Sequence, residues 1–169
     1  MIEIEPLGDE RGFFARTVAE DAFRERGLNT HFVQQSISWN PHQGTLRGLH
    51  YQAAPHEEDK LVRVTRGAIF DVIVDLRDGS VTRGRWFGIG LSAENHRQLF
   101  IPKGFAHGFQ TLDPGSEVHY QMTVPFQASA GRGIRWDDPA LAIRWPDAAH
   151  AIVGERDRSL PTLEEVAVR

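Results

Sequence analysis

The stretch from Gly44 to Arg66, GTLRGLHYQAAPHEEDKLVRVTR, sets a histidine, several arginines and a lysine on what its pattern predicts to be a pair of strands. Those residue types can move protons. His50 changes charge near neutral pH, with a free value of about 6.5. Strict alternation over Leu46 to Gln52 puts Leu46, Gly48, His50 and Gln52 on one face and Arg47, Leu49 and Tyr51 on the other. A histidine on such a small-residue face is either a packed core residue or a group aimed into a pocket. Lys60 and Lys103 are the only lysines among 19 basic residues. In a chain that uses arginine wherever a generic positive charge suffices, a lysine kept at position 60 points to a need for a compact ammonium. Tyr120 is one of only two tyrosines, and it can donate a proton where a neighbouring cation stabilises its phenolate.

Rival chemistries lack their residues. The chain has no cysteine, which removes disulfides, thiolate nucleophiles and thiolate metal sites together. No pair of histidines sits one residue apart on a strand with a following glutamate, so no bound metal is expected. His56, Glu57 and Glu58 follow Pro55 in a predicted loop and would project in different directions. Neither a G-x-S-x-G elbow nor a phosphate-cradling glycine loop occurs. What remains is acid and base chemistry without a cofactor.

These groups must be held by strands. Turn signals at Gly8-Asp9, Asn40-Pro41, Arg66-Gly67, Asp78-Gly79, Pro102-Lys103-Gly104, Asp113-Pro114-Gly115 and Gly131-Arg132-Gly133 separate short β-rich runs. The runs are Leu61 to Thr65, Ala68 to Leu76, Trp86 to Leu91, Arg97 to Ile101, His107 to Thr111 and Glu117 to Val124. Many short strands with a turn about every ten residues predict an all-β sandwich or barrel. In AIFDVIVDL both faces are mostly apolar, so the strand should lie deep and Asp71 and Asp75 need partners, with links to strand arginines favoured over a catalytic carboxylate pair. Helix is scarce. One helix is predicted from Val18 to Arg26, with a Thr17/Glu20 capping box and a stop at Gly27, and shorter ones at Pro139 and from Thr162 to Val166.

At 169 residues the chain suits one domain, residues 1–169, with a full core. A net charge of -4 and a pI near 6.0 argue against nucleic acid as a partner, although a locally positive pocket can still take an anionic small molecule. No apolar run approaches the length of a membrane span, and the start MIEIEPLGDE has neither the basic nor the apolar region of a signal peptide. A soluble, cytoplasmic protein is expected.

Eight motifs in order carry a family resemblance: DERGFF, FVQ, GTLRGLHYQ, KLVRV, GAIFDVIVDLR, IPKGFAHGF, GIRWDDP and RDRSLP. Together they make the chain resemble the dTDP-4-dehydrorhamnose 3,5-epimerase family over nearly its whole length. The resemblance implies a cupin-type jelly-roll barrel with a few short peripheral helices, acting without a cofactor on a nucleotide-diphosphate sugar bearing a ketone at C4. It places the proton acceptor on His50, the proton donor on Tyr120 and the carboxylate that orients the histidine on Asp157. Lys60 matches the lysine beside the sugar. Arg11, Gln34, Arg47 and His107 match substrate-contacting positions, and Phe14, Arg16, Ser36, Ser38 and Arg156 are further expected contacts. Phe126 matches the aromatic that stacks on the base. Arg11 is expected to reach the site of a neighbouring subunit, which implies a homodimer.

Departures from the family pattern fall on base and sugar contacts. Arg16 stands where a glutamate is usual, Gln35-Ser36-Ile37 replaces Asp-Asn-His, Pro125 precedes Phe126 in place of a tyrosine, and an acidic contact is missing near Gly131. Two alternatives stay open: an epimerase that inverts only C3 or only C5 of a related sugar nucleotide, and a non-catalytic sugar-nucleotide binding module.

Overall fold

The computed structural model describes residues 1–167, in which twelve strands and three short helices form. A hairpin of β1 (Leu7–Asp9) and β2 (Gly12–Phe14) leads through α1 (Glu20–Arg24) to β3 (Gln34–Asn40). Then follow β4 (Thr45–Gln52), β5 (Lys60–Arg66), β6 (Ala68–Asp75), β7 (Trp86–Ser92), β8 (Gln98–Ile101), β9 (Phe105–Thr111) and β10 (Ser116–Met122). The chain closes with β11 (Gly131–Gly133), β12 (Ile152–Val153), α2 (Glu155–Arg158) and α3 (Leu163–Ala167). One sheet has the order β3-β10-β5-β8; the other has the order β11-β4-β9-β6-β7, with β12 pairing parallel to β4. This is the expected jelly roll: mostly antiparallel strands in two sheets, with helix confined to the periphery.

Two cores result from the period-2 pattern of the strands. Between the sheets, Val62 and Val64 of β5, Leu99 and Ile101 of β8 and Val118 of β10 meet Ile69 of β6, Leu91 of β7 and Phe109 of β9. On the outer face of the larger sheet, Leu46, Leu49, Val72, Val74 and Ala106 pack under Ile134, Leu141, Trp145 and Val153 of the C-terminal segment. Strand β6 therefore buries both faces, as its sequence predicts, because each face meets its own apolar layer.

Strand β4 departs from strict alternation. The ladder to β9 pairs Arg47 with Phe109 and His50 with His107, and its register slips in between. Gly48 takes φ 136°, and a Cβ there would lie 2.5 Å from the Cα of Gly108. Only two facing glycines allow so close an approach. The extra residue changes the phase of the strand. Leu46 and Leu49 both enter the outer core, whereas Arg47 and His50 face the cavity between the sheets. The predicted division into a His50 face and an Arg47 face is thus corrected.

The helices differ from expectation at their ends. In place of a Thr17/Glu20 capping box, α1 begins after Ala19 without a side-chain cap, and it stops before Gly27 at φ 68°. Pro139 opens a turn rather than a helix, because both Asp138 oxygens are engaged, by the amides of Ala140 (2.8 Å) and Leu163 (2.6 Å). The expected C-terminal helix forms behind a capping box in which Glu165 accepts from the Thr162 amide at 2.7 Å. Helix α2 was not expected.

Candidate active site

A cavity of about 520 Å³ opens between the two sheets, lined by Ser38, Arg47, His50, Lys60, His107 and Tyr120. Its walls come from opposing sheets. Strands β4 and β9 supply Arg47, His50 and His107, while β3, β5 and β10 supply Ser38, Lys60 and Tyr120.

His50 does not act alone. Its Nε2 lies 2.7 Å from Oδ1 of Asp157, whose Oδ2 accepts from the Gly48 amide at 3.0 Å. The strand bulge therefore serves the site twice, turning His50 inward and exposing an amide that anchors its partner. Burial pushes the Asp157 carboxyl up, but the hydrogen bonds from His50 and Gly48 and the charges of His50 and Arg156 outweigh it and hold the group below the ordinary carboxylate value. An ionised Asp157 assigns the hydrogen to Nε2 and leaves the lone pair of His50 on Nδ1.

A second pair lies beside the first. His107 Nε2 is 2.7 Å from Asp71 Oδ1, both side chains being buried. Asp71 was expected to meet a strand arginine and instead meets this histidine; Asp75 does meet an arginine, Arg77, at 2.7 Å. The signal for Asp71 was its place on the inward face of a deep strand, but nothing in the sequence named its partner. Asp71 Oδ2 is buried with no hydrogen-bond partner among the described residues.

Tyr120 packs its ring edge-to-face on His107, with centroids 6.2 Å apart. Burial, and then the negative charge of Asp71, push its phenol well above the ordinary tyrosine value, although Arg47 and a hydrogen bond with Ser38 pull the other way. Tyr120 thus holds its proton at neutral pH. Arg47 is a neighbouring cation, but its pull is outweighed by burial and Asp71, so the stabilised phenolate expected from the sequence is not found. Arg47 is itself steered by Nε donating to Asn40 Oδ1 at 2.8 Å. Lys60 sits on the same cavity, its Nζ 3.0 Å from Glu58 Oε1.

The remaining expected contacts fall into two groups. Ser36 pairs with Tyr120 across β3 and β10, and Gln34 Oε1 accepts from the Phe126 amide at 2.9 Å, tying that exposed ring to β3. Gln34, Ser36, Phe126 and Arg156 are not among the residues that line the cavity. Gly131 lies between Arg156 and Phe126: a Cβ there would come within 3.7 Å of Arg156 Nη2 and 3.8 Å of the Phe126 ring. Arg11, Phe14 and Arg16 are not brought to the cavity of their own chain. Arg11 is exposed and paired with Asp9, whereas Arg16 stacks 5.7 Å over Phe14 and lines a separate cavity of about 470 Å³ beside α1. Among the described residues no group of three or more metal-ligating side chains converges.

A base held by a carboxylate on one wall and a protonated phenol on the other suit removal of a proton from one side of a bound molecule and its return from the other. That is the work of a proton-moving isomerase built on a jelly roll. The family model described as dTDP-4-dehydrorhamnose 3,5-epimerase matches residues 1–165. A Sinorhizobium fredii protein of that description is 45% identical over 99% of this chain and 86% of its own length. The Bacillus anthracis dTDP-4-dehydrorhamnose 3,5-epimerase, solved with TDP and PPi bound, is 45% identical with a TM-score of 0.92, over 95% of this chain and 91% of that one. A Legionella pneumophila dTDP-6-deoxy-D-glucose-3,5-epimerase, solved in complex with dTDP-4-keto-L-rhamnose, is 41% identical with a TM-score of 0.89, over 96% and 86%. The chain belongs to the dTDP-4-dehydrorhamnose 3,5-epimerase family and is an isomerase.

Proposed function

We propose that this enzyme epimerises a dTDP-4-dehydro-6-deoxy sugar at C3 and C5, converting the 4-keto glucose form to the 4-keto rhamnose form. The observation that carries the proposal is the placement of the His50–Asp157 pair and Tyr120 on opposing sheets of one cavity. A ketone at C4 acidifies the hydrogens on C3 and C5, because either carbanion is an enolate. His50 takes the proton on Nδ1, and Asp157 stabilises the imidazolium that forms. The electron pair left on carbon moves onto the C4 oxygen, where Lys60 provides positive charge and Arg47 and His107 provide further donors; one such donor is typically worth about 10²-fold to 10³-fold in rate. Tyr120 then gives its proton to the opposite face of the carbon, and the configuration inverts. After the first inversion His50 gives its proton up to solvent and Tyr120, whose phenolate is strongly disfavoured by burial and by Asp71, takes one up, so both groups are reset before the second carbon reacts. No step calls for a metal or a redox cofactor.

Substrate is held, in this reading, by Gln34, Ser36, Ser38, Arg47, His107 and Arg156, with Phe126 stacking on the base. Arg11, Phe14 and Arg16 act across the interface of a homodimer. Two features support the dimer: the β1–β2 hairpin carries Arg11 and Phe14 away from its own cavity, and edge strand β3 leaves Ile37 and Trp39, which also border the cavity, exposed. The whole chain works as one domain, and no helix among the described residues is long and apolar enough to cross a membrane. A cytoplasmic setting agrees with the lack of cysteine.

Turnover of the 4-keto nucleotide sugar by the purified protein in deuterium oxide, followed by NMR, tests the reading. Deuterium at both C3 and C5 with inversion is expected. Label at one carbon would establish the single-site alternative, and binding without exchange would establish the non-catalytic one.

A further inference from the structure

The ammonium of Lys60 is not free to search for the oxyanion. Its Nζ is held at 3.0 Å by Glu58 Oε1, with the two side chains only 15% and 8% exposed. The other oxygen of Glu58 accepts from Gln52 Nε2 at 2.7 Å, so both carboxylate oxygens are committed. Gln52 is buried and its amide is fully used: Nε2 also approaches the carbonyls of His56 (3.1 Å) and Pro125 (3.4 Å), and Oε1 accepts from the Gln127 amide at 2.6 Å. Three acceptors share two hydrogens, and the shortest bond goes to Glu58. The orientation of the amide is assigned by its neighbours, since a flipped group would set its oxygen against a carboxylate and its NH₂ against a backbone N–H. The next residue, Asp59, is pinned to the same region, its amide donating to Thr123 Oγ1 at 2.9 Å and its carbonyl accepting from the Thr123 amide at 3.1 Å.

We propose that Gln52 and Glu58 are positioning residues for Lys60, forming a chain that ties the oxyanion-stabilising ammonium to the Pro125–Gln127 segment on which Phe126 is carried. The proposal rests on the role given above to Lys60. Lysine has four side-chain torsions and a point charge without directional preference, so it stabilises an enolate well only where something else fixes its position. A carboxylate anchored at its far oxygen supplies that constraint before substrate arrives. The same amide that anchors the carboxylate also holds both sides of Phe126, through Pro125 and Gln127. The base-stacking ring and the ammonium that meets the sugar are thereby placed from one buried side chain.

The test is a mutant cycle on the full-length enzyme. Glu58→Ala, Glu58→Gln and Gln52→Met are each made in the wild-type and in the Lys60→Ala background, and kcat, KM and deuterium exchange are measured. Misplacement of a catalytic group by about 1 Å can cost about 10²-fold, so Glu58→Ala should lower kcat by roughly 10-fold to 100-fold with KM changed less than about threefold. Glu58→Gln keeps an acceptor and should lose less. Gln52→Met should lower kcat and raise KM together, because it releases Lys60 and the Phe126 segment at once. In the Lys60→Ala background the Glu58 substitutions should cost nothing more. An equal loss from Glu58→Ala or Glu58→Gln in both backgrounds would overturn the proposal, as would a Gln52→Met variant that changes KM alone. Lys60→Ala at wild-type rate would remove the premise instead, while a rate loss there with none in the Glu58 variants would sink only the positioning chain. If Glu58→Ala does not fold, the Glu58→Gln cycle decides the matter by the same criterion.

Discussion

Asp157→Asn should disable His50 while leaving the fold in place. In the native site one carboxylate accepts twice, from His50 Nε2 at 2.7 Å and from the Gly48 amide at 3.0 Å. An amide has one acceptor oxygen. If that oxygen stays on Gly48, the NH₂ faces Nε2 and the imidazole must carry its hydrogen on Nδ1, where no lone pair remains to take a proton. If the oxygen turns to His50, the Gly48 N–H faces an NH₂ instead. Either way the charge that stabilises the imidazolium is gone. Two unit charges about 4 Å apart interact by about 4 kcal/mol at an effective dielectric of about 20. The His50 side chain is 36% exposed, so solvent screens part of this, and about 3 kcal/mol is the working figure. That corresponds to a fall in kcat of roughly 10²-fold, with KM little changed because Asp157 acts through His50 rather than on substrate. Deuterium exchange at C3 and C5, followed by NMR at neutral pH, reads the step directly. Exchange within about threefold of wild type would refute the claim that Asp157 sets the state of His50.

Tyr120→Phe should keep deuterium exchange while net inversion falls, since the enolate still forms and is reprotonated by His50; Lys60→Ala should lower both together, and equal loss of both signals in Tyr120→Phe would end that division of labour. Exhaustive chelation should leave turnover intact, and a loss restored by one added divalent ion would overturn the cofactor-free scheme. Asp75 is held far below the ordinary carboxylate range by its hydrogen bond with Arg77, with Ser80 and Thr82 adding to it. Because its folded value is depressed, its contribution is fully present above the unfolded value of about 3.9 and fades as pH falls toward the folded one. Asp75→Asn should therefore cost about 2 to 3 kcal/mol in urea unfolding at pH 7 and progressively less below pH ~4, whereas a pH-independent cost would contradict this.

Much of this architecture was legible in the chain itself because it depends on near neighbours. The alternation in Ala68–Asp75, with turn glycines on either side, specifies a strand buried on both faces whatever it packs against. The short helix predicted from Thr162 to Val166 forms as Leu163–Ala167, because its start is set within four residues by the bonds between Thr162 and Glu165. The order of the motifs, read against a known family, pointed to His50, Tyr120 and Asp157. Other features come from contacts between distant segments, and local pattern is silent about those. The bulge in β4 exists because Gly48 meets Gly108 from another strand, and only that approach turns Arg47 and His50 to the same cavity. Asp157 reaches His50 across 107 residues because the unforeseen α2 packs against β4. Asp71 finds a histidine rather than an arginine because β6 lies beside β9 in the register that sets Ile73 opposite His107. Glu58 looked like one of several charges in a loop, and its hold on Lys60 depends on a glutamine from a different strand. Side-chain identity and spacing thus determine which groups are available and which strands carry them. Pairing register, a close glycine crossing and the docking of the C-terminal segment decide which of those groups meet, because each is a distance between parts of the chain that the order of residues does not bring together.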